Sequence, residues 1–321
     1  MKDRILASLR PVLVHPRHID IDAERVRAFC RERPAGGIAM PDWRKEFIYP
    51  WDDDRAADFF LLFNCVNFAF WAKPGAVKWN IDYKGHRLDG AYGLMGAFTR
   101  AIEEGVPLLD GKFLAGMTEE TLGRIIRGEG ELVLFRERAE ILREVGAGLV
   151  VRHGGSFGKM LAKARGSAVA LAELLVREFP SFNDVCRMDV GELLFYKRAQ
   201  LAPAMVYQRF QGKGPGSFRD TDRLTVFADY KLPQALRRLG VLRYRPGLAA
   251  KVDSRTLIPS CSREEVEIRA STIGACDMIQ REYASGGQRM DSVTLDAFLW
   301  LLGHEKVEGE KPYHLTETIY Y

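Results

Sequence analysis

Residues 195–234, FYKRAQLAPAMVYQRFQGKGPGSFRDTDRLTVFADYKLPQ, limit most strongly what this chain can fold into. They open as a helix in which the polar side chains of Lys197, Arg198 and Gln200 sit among Phe195, Tyr196, Leu201 and Met205. A glycine-rich turn follows, Gly212-Lys213-Gly214-Pro215-Gly216, where glycine permits positive φ and close backbone approach. The stretch closes on Phe227-Ala228-Asp229-Tyr230, then Lys231-Leu232-Pro233-Gln234, the start of a helix that stops at Gly240.

The rest of the chain reads as mainly α. At 321 residues with 47% apolar side chains there is ample core for one large domain. No repeat, low-complexity tract or Ser/Gly linker marks a boundary, so residues 1–321 read as one intimately packed unit. Residues 1–54, with scattered prolines and an acidic knot at Asp52-Asp53-Asp54, read as an irregular N-terminal wrap holding one helix around 22–33. Residues 55–71 are apolar nearly all round and predict a central buried helix. Asn64 and Asn67 inside it need partners, since a buried unpaired amide costs about 1–3 kcal/mol. Trp79, Ile81 and Tyr83 alternate with polar residues before Lys84-Gly85-His86, which predicts one small β-hairpin. Helices then follow at 92–104, from the Thr118 cap to Gly128, and over 132–152, 156–163 and 167–178. A capping box at Ser262-Arg263-Glu264-Glu265 starts another, and 292–304 predict the last.

Charge and cysteine usage exclude some classes. The net charge of +4 suits an anionic ligand and is too small to demand a nucleic-acid partner. Five cysteines, odd in number and without a CxxC pair, read as thiols in a reducing compartment. His15 and His18 straddle a proline and read as surface loop, so no metal site is expected. Lys2, Asp3 and Arg4 precede too short an apolar stretch for a signal peptide, and residues 59–71 are too short to span a bilayer. The expectation is a soluble, cytoplasmic protein.

The order helix, G-x-G turn, short helix, then Asp at the head of the next helix resembles the helix-hairpin-helix DNA glycosylases over 193–240. There the Asp after the hairpin is the catalytic carboxylate. Four further matches are more specific: FYKRAQ (195–200), FADYKLPQ (227–234), EVEIRA (265–270) and IYY (319–321). Together, over about residues 59–321, they resemble the queuosine salvage protein family, queuosine 5′-phosphate N-glycosylases that free queuine from the nucleotide. The resemblance implies a helix-hairpin-helix glycosylase-like fold, queuosine 5′-monophosphate as small-molecule substrate, queuine as product, and no cofactor, membrane or obligatory nucleic acid. Two rivals remain: a base-excision glycosylase acting on a polynucleotide, and a non-catalytic hairpin module that binds nucleic acid.

Within that resemblance Asp229 is the catalytic candidate. Cleaving an N-glycosidic bond builds positive charge on the sugar, which a fixed carboxylate stabilises while activating water. By default an Asp here is the N-cap of the following helix, and the two roles are compatible. Lys197, in the family's FYKRAQ, is its partner, holding Asp229 ionised or binding ribose or phosphate. Arg198 lies about 100° round the helix and reads as a structural pair for Asp184 or Asp189, though with Lys231 and Arg269 it remains a phosphate candidate. Lyase-type glycosylases carry a nucleophilic Lys just after the hairpin glycines. Here Ser217 and Phe218 follow, which implies simple hydrolysis. Phe227, Tyr230, Trp71 and Tyr92 are candidates to stack on the base, and Gln234 or Asn67 to read its edge.

Overall fold

The structure, a computed structural model, describes residues 1–38, 41, 43–305 and 307–321. Its first 33 residues are more ordered than the sequence suggested. Helix α1 (Lys2–Val14) buries Ile5, Leu9 and Val12 on one stripe. Pro11 lies inside it, where a missing N–H and a ring clash normally end a helix, and this concealed the element. Strand β1 (Ile19–Ile21) and helix α2 (Ala23–Glu32) follow, with Asp22 Oδ1 accepting the Arg25 N–H as the α2 cap.

Helix α3 (Arg55–Cys65) is buried on nearly every side, as its sequence demands. It stops at Cys65 rather than at 71, and two arginines from other elements explain the early end. Arg198 donates to the carbonyls of Asn64 and Cys65. Arg138 donates to those of Val66, Phe68 and Ala69. Carbonyls that would have continued the helix are thereby satisfied from outside. The chain runs on irregularly, Ala69 taking a left-handed φ of 44°.

The hairpin β2 (Asn80–Tyr83) and β3 (His86–Asp89) forms where alternation predicted it, and α4 (Gly90–Glu103) packs on it. Helices α5 (Gly111–Ala115), α6 (Glu119–Ile125), α7 (Phe135–His153), α8 (Phe157–Lys163) and α9 (Ala168–Glu178) follow. Thr118, Ser156 and Ser167 cap α6, α8 and α9 through their hydroxyls. Strands β4 (Val185–Met188) and β5 (Gly191–Leu194) then lead straight into α10 (Lys197–Arg209). In the glycine turn Gly212 and Gly214 hold φ of 70° and 48°, the left-handed region only glycine enters freely. Helix α11 (Lys231–Arg238), strand β6 (Leu242–Tyr244) and helices α12 (Pro246–Asp253), α13 (Arg263–Ser285) and α14 (Ser292–Leu302) complete the chain.

The architecture is mainly helical, with small strand pairs. Three antiparallel pairs exist among the described residues, β1–β6, β2–β3 and β4–β5, where the sequence indicated one hairpin. The extra strands are only three or four residues long, too short for a period to register. Buried apolar side chains from Met1 to Tyr321 form one continuous cluster. Among the described residues no helix is long and apolar enough to cross a membrane.

The expectation of five free thiols is corrected. Cys186 on β4 and Cys261 ahead of α13 are joined, with Cα atoms 5.4 Å apart across 75 residues of sequence. Cys30, Cys65 and Cys276 are free and buried. Spacing along the chain carried no trace of this tertiary approach.

Burial lowers the pKa of Arg138 to about 9 and that of Arg198 to about 10, so both remain charged at neutral pH. Arg138→Met removes the guanidinium that donates to the Val66, Phe68 and Ala69 carbonyls. It should lower unfolding free energy by about 3 kcal/mol or more, read as a denaturant midpoint shift at constant slope. A change of less than about 0.5 kcal/mol would show that these bonds do not hold the 66–71 segment.

Candidate active site

The irregular segment after α3, the first turns of α10 and α11 and the middle of α14 enclose one cleft with an empty volume of about 900 Å³. Three ionisable side chains from three elements meet in it: Lys197, Asp229 and Asp296.

Lys197 is the first residue of α10, and the β4–β5 hairpin sets where that helix starts. The Asp184 carbonyl accepts the N–H groups of Phe195 and Tyr196, and its Oδ2 accepts that of Lys197 at 3.0 Å. Tyr196 adopts a left-handed φ of 51°, which turns the chain into the helix. The Lys197 ammonium is buried and donates to the Asn67 carbonyl at 3.4 Å. Burial pushes its pKa down to about 8, opposed by the carboxylates of Asp229 and Asp296.

Asp229 does cap its helix, its Oδ1 accepting the N–H groups of Lys231 at 2.7 Å and Leu232 at 3.0 Å. That fixes the carboxyl group on backbone and leaves Oδ2 for the cleft. One residue back, the Ala228 carbonyl accepts from Arg269 Nε at 3.3 Å. Arg269 in turn grips Asp184 through both terminal nitrogens, at 2.9 and 2.5 Å. One ion pair therefore ties the segment bearing Lys197 to the segment bearing Asp229.

Asp296 was missed in the sequence. It lies mid-way along α14 in an apolar run, Val293 to Leu302 broken by this one acid, and a charge so placed needs a reason. Its Oδ1 accepts the Phe227 N–H at 2.7 Å. Burial pushes its carboxyl well above the usual range, and the nearby Asp229 charge adds to this.

The other candidates divide. Phe227, Tyr230, Lys231 and Asn67 all line the cleft with Lys197 and Asp229. Tyr230 packs against Tyr313, ring centroids 4.9 Å apart, and Lys231 lies 5.0 Å above the Tyr313 ring. Trp71, Tyr92, Gln234 and Arg198 are not among the lining residues. Trp71, which lies beyond the end of α3 at Cys65, is buried outside the cleft lining. Tyr92 stands behind the wall, packed on Trp43 and Trp300. Gln234 donates to the Lys311 carbonyl and accepts from Lys231, steadying that lysine from behind. Arg198 pairs with neither Asp184 nor Asp189, since its guanidinium is occupied by the carbonyls of Asn64, Cys65 and Ser181. Asp184 belongs to Arg269, which meets its i−4 neighbour Glu265 only at 3.6 Å.

Aromatic walls missing from the sequence reading come from Trp43, Trp300, Tyr313 and Tyr321. Trp43 is held by Gln208, which accepts its indole N–H at 2.7 Å. The Tyr321 hydroxyl donates to Glu265 at 2.8 Å.

Because the Asp229 charge raises the pKa of Lys197, Asp229→Asn should move the Lys197 titration below its value of about 8. NMR of the labelled lysine side chain reads this directly. A titration unmoved by the substitution would separate the two groups.

Comparison with known proteins gives the family of the chain. Residues 48–321 match the family described as "Queuosine salvage protein". A Sphaerobacter thermophilus protein named queuosine 5′-phosphate N-glycosylase/hydrolase is 40% identical over 319 residues, covering 99% of this chain and 97% of its own. Proteins of the same name from Mus musculus and Bos taurus are 34% and 32% identical. They cover 98% and 84% of this chain, and 97% and 82% of their own lengths. On residues 48–321 and these identities, the chain belongs to the queuosine salvage protein family.

Proposed function

We propose that this protein hydrolyses the N-glycosidic bond of queuosine 5′-monophosphate, releasing queuine and ribose 5-phosphate. The observation that carries the reading is the convergence of Asp229, Lys197 and Asp296 in one aromatic-walled cleft of a chain from this family.

Asp229 faces the sugar. As the bond from C1′ to the base nitrogen breaks, its electron pair leaves with the base and positive charge develops on the ribose. A carboxylate already fixed by two backbone N–H groups stabilises that charge without reorganising. The oxygen of a water then bonds C1′, and its proton passes to Asp229. Asp296, whose carboxyl burial holds above the usual range, donates a proton to the departing base and recovers one from Asp229 through solvent. Lys197 brings its ammonium into the same cleft as the Asp229 carboxylate. Phe227, Tyr230 and Trp300 supply flat surfaces for the deazaguanine, and Asn67 an amide for its edge.

The finer fold reading belongs with this proposal. Helix α10, the turn at 212–216 and Asp229 ahead of α11 keep the order of the helix-hairpin-helix glycosylases. Between turn and carboxylate, this chain carries only a single 3₁₀ turn at Thr221–Arg223. A free nucleotide as substrate also suits a cytoplasmic enzyme working as one packed unit.

The test is chromatographic release of queuine from queuosine 5′-monophosphate. Wild type should release it, and Asp229→Asn should lose at least about a hundredfold in turnover with an unchanged circular dichroism spectrum. Folded wild type that yields no queuine refutes the reading. With Lys197 active as the ammonium, kcat/KM should fall as pH rises through about 8, where the group gives up its proton. That limb should vanish from the residual activity of Lys197→Met, and a profile that stays flat well above that pH would remove Lys197 from the mechanism.

A further inference from the structure

The disulfide between Cys186 and Cys261 lies outside the cleft, and the mechanism above does not use it. It joins the same two segments as the Asp184–Arg269 ion pair. Cys186 stands two residues past Asp184, in β4, and its cross-strand partner is Leu193 on β5, the strand that runs straight into Lys197. Cys261 immediately precedes Ser262, the N-cap of α13, the helix that carries Glu265 and Arg269. The bridge is therefore a covalent tie set beside an electrostatic one.

Both ends of the bridge reach residues of the site. Cys261 holds a left-handed φ of 56°, a conformation that a residue other than glycine keeps only where its surroundings impose it. In that conformation its N–H donates to Glu265 Oε2 at 3.1 Å. The other oxygen of Glu265 accepts the hydroxyl of Tyr321, a wall of the cleft, and lies 3.6 Å from Arg269. At the opposite end, Asp184 accepts the N–H groups of Phe195, Tyr196 and Lys197, which set the start of α10. Opening the bridge frees Cys261 to leave the left-handed region and unties β4 from the entry to α13. The Asp184–Arg269 pair then holds the two segments without a covalent partner.

We propose that Cys186 and Cys261 form a redox site that controls the place of the Lys197 ammonium, holding it for the reaction when the bridge is closed and releasing it when a dithiol opens the bridge. The effect on turnover rests on the hydrolase reading given above, whereas the effect on Lys197 does not. Cys186 is buried and Cys261 half-buried, so a thiolate of the dithiol attacks Sγ of Cys261. The S–S bond breaks, its electron pair leaves on the Cys186 sulfur, and that sulfur takes a proton. The second thiol of the dithiol then displaces Cys261 as a thiol, and the reductant departs as its own disulfide. Two electrons and two protons pass to the protein in this way, and a disulfide reagent closes the bridge by the reverse exchange. Cys30, Cys65 and Cys276 do not compete, because burial raises the pKa of each thiol and so suppresses the reactive thiolate.

The test compares wild type oxidised with glutathione disulfide, the same protein reduced with dithiothreitol, and Cys186→Ser. Circular dichroism checks that each is folded, and alkylation with iodoacetamide followed by mass spectrometry reads which cysteines are free. In the oxidised protein residues 186 and 261 should resist alkylation, and after reduction Cys261 should be modified. Reduction should move the NMR signal of the labelled Lys197 side chain. It should also lower kcat for queuine release at least about tenfold while KM changes little, and reoxidation should restore both. Cys186→Ser should start at the reduced level and ignore the dithiol. A folded, reduced wild type whose Lys197 signal and kcat are unmoved would overturn the proposal, as would alkylation of Cys186 and Cys261 in the oxidised protein. A Lys197 signal that follows the redox state while no queuine is released in either state would leave the redox site standing and defeat the hydrolase reading instead.

Discussion

Asp184 and Arg269 form a buried bidentate ion pair, and the geometry of the cleft depends on it. Such a pair is a poor source of stability in itself, because removing two charges from water costs about as much as their attraction returns. What it supplies here is position. Asp184 spends its carbonyl and one carboxylate oxygen on the N–H groups of residues 195–197, so the pair decides where α10 begins and where the Lys197 side chain projects. Arg269 uses its remaining nitrogen on the Ala228 carbonyl, next to Asp229. The guanidinium lies 3.9 Å from the Phe195 ring centroid and 4.4 Å from that of Tyr321, which keep water away from it. Losing one partner would strand the other as a bare buried charge, a loss of about 3–5 kcal/mol. The two reactive segments would also come apart.

A second pair of buried cations makes the cleft possible in another way. Beyond Cys65, where α3 ends, the backbone is irregular up to the β2–β3 hairpin. Arg138 and Arg198 end the helix by taking over its last carbonyls, and both stack on Phe68 as they do so. The freed segment presents Asn67, Phe68 and Phe70 to the cleft. Irregular backbone inside a core needs outside donors for its carbonyls, and arginine, with five N–H groups on a rigid fork, supplies several at once.

Much of this was legible in the sequence where the cause is local. The hydroxyl caps at Thr118, Ser156, Ser167 and Ser262, the β2–β3 hairpin and the position of Asp229 at the head of α11 are all short-range chemistry. Asn67, Phe227, Tyr230 and Lys231 line the cleft together because they lie in or beside the segments that build it. What the sequence concealed is tertiary. The early end of α3 goes with carbonyl bonds from arginines far along the chain. Asp296 reaches the site from α14, whose apolar run looked like ordinary core. Cys186 and Cys261 meet only because β4 packs near the start of α13. Lys78, Lys231 and His304 line the cleft together, and no pattern along the chain connects them.

The central claim is that one cleft holds the nucleotide with its anomeric carbon against Asp229. The most direct measurement is a crystal structure of the Asp229→Asn protein soaked with queuosine 5′-monophosphate. The account predicts intact nucleotide in the cleft, with C1′ in contact with the residue 229 side chain and the base between Phe227 and Trp300. Nucleotide bound elsewhere, or in the cleft with its sugar turned away from residue 229, would contradict it.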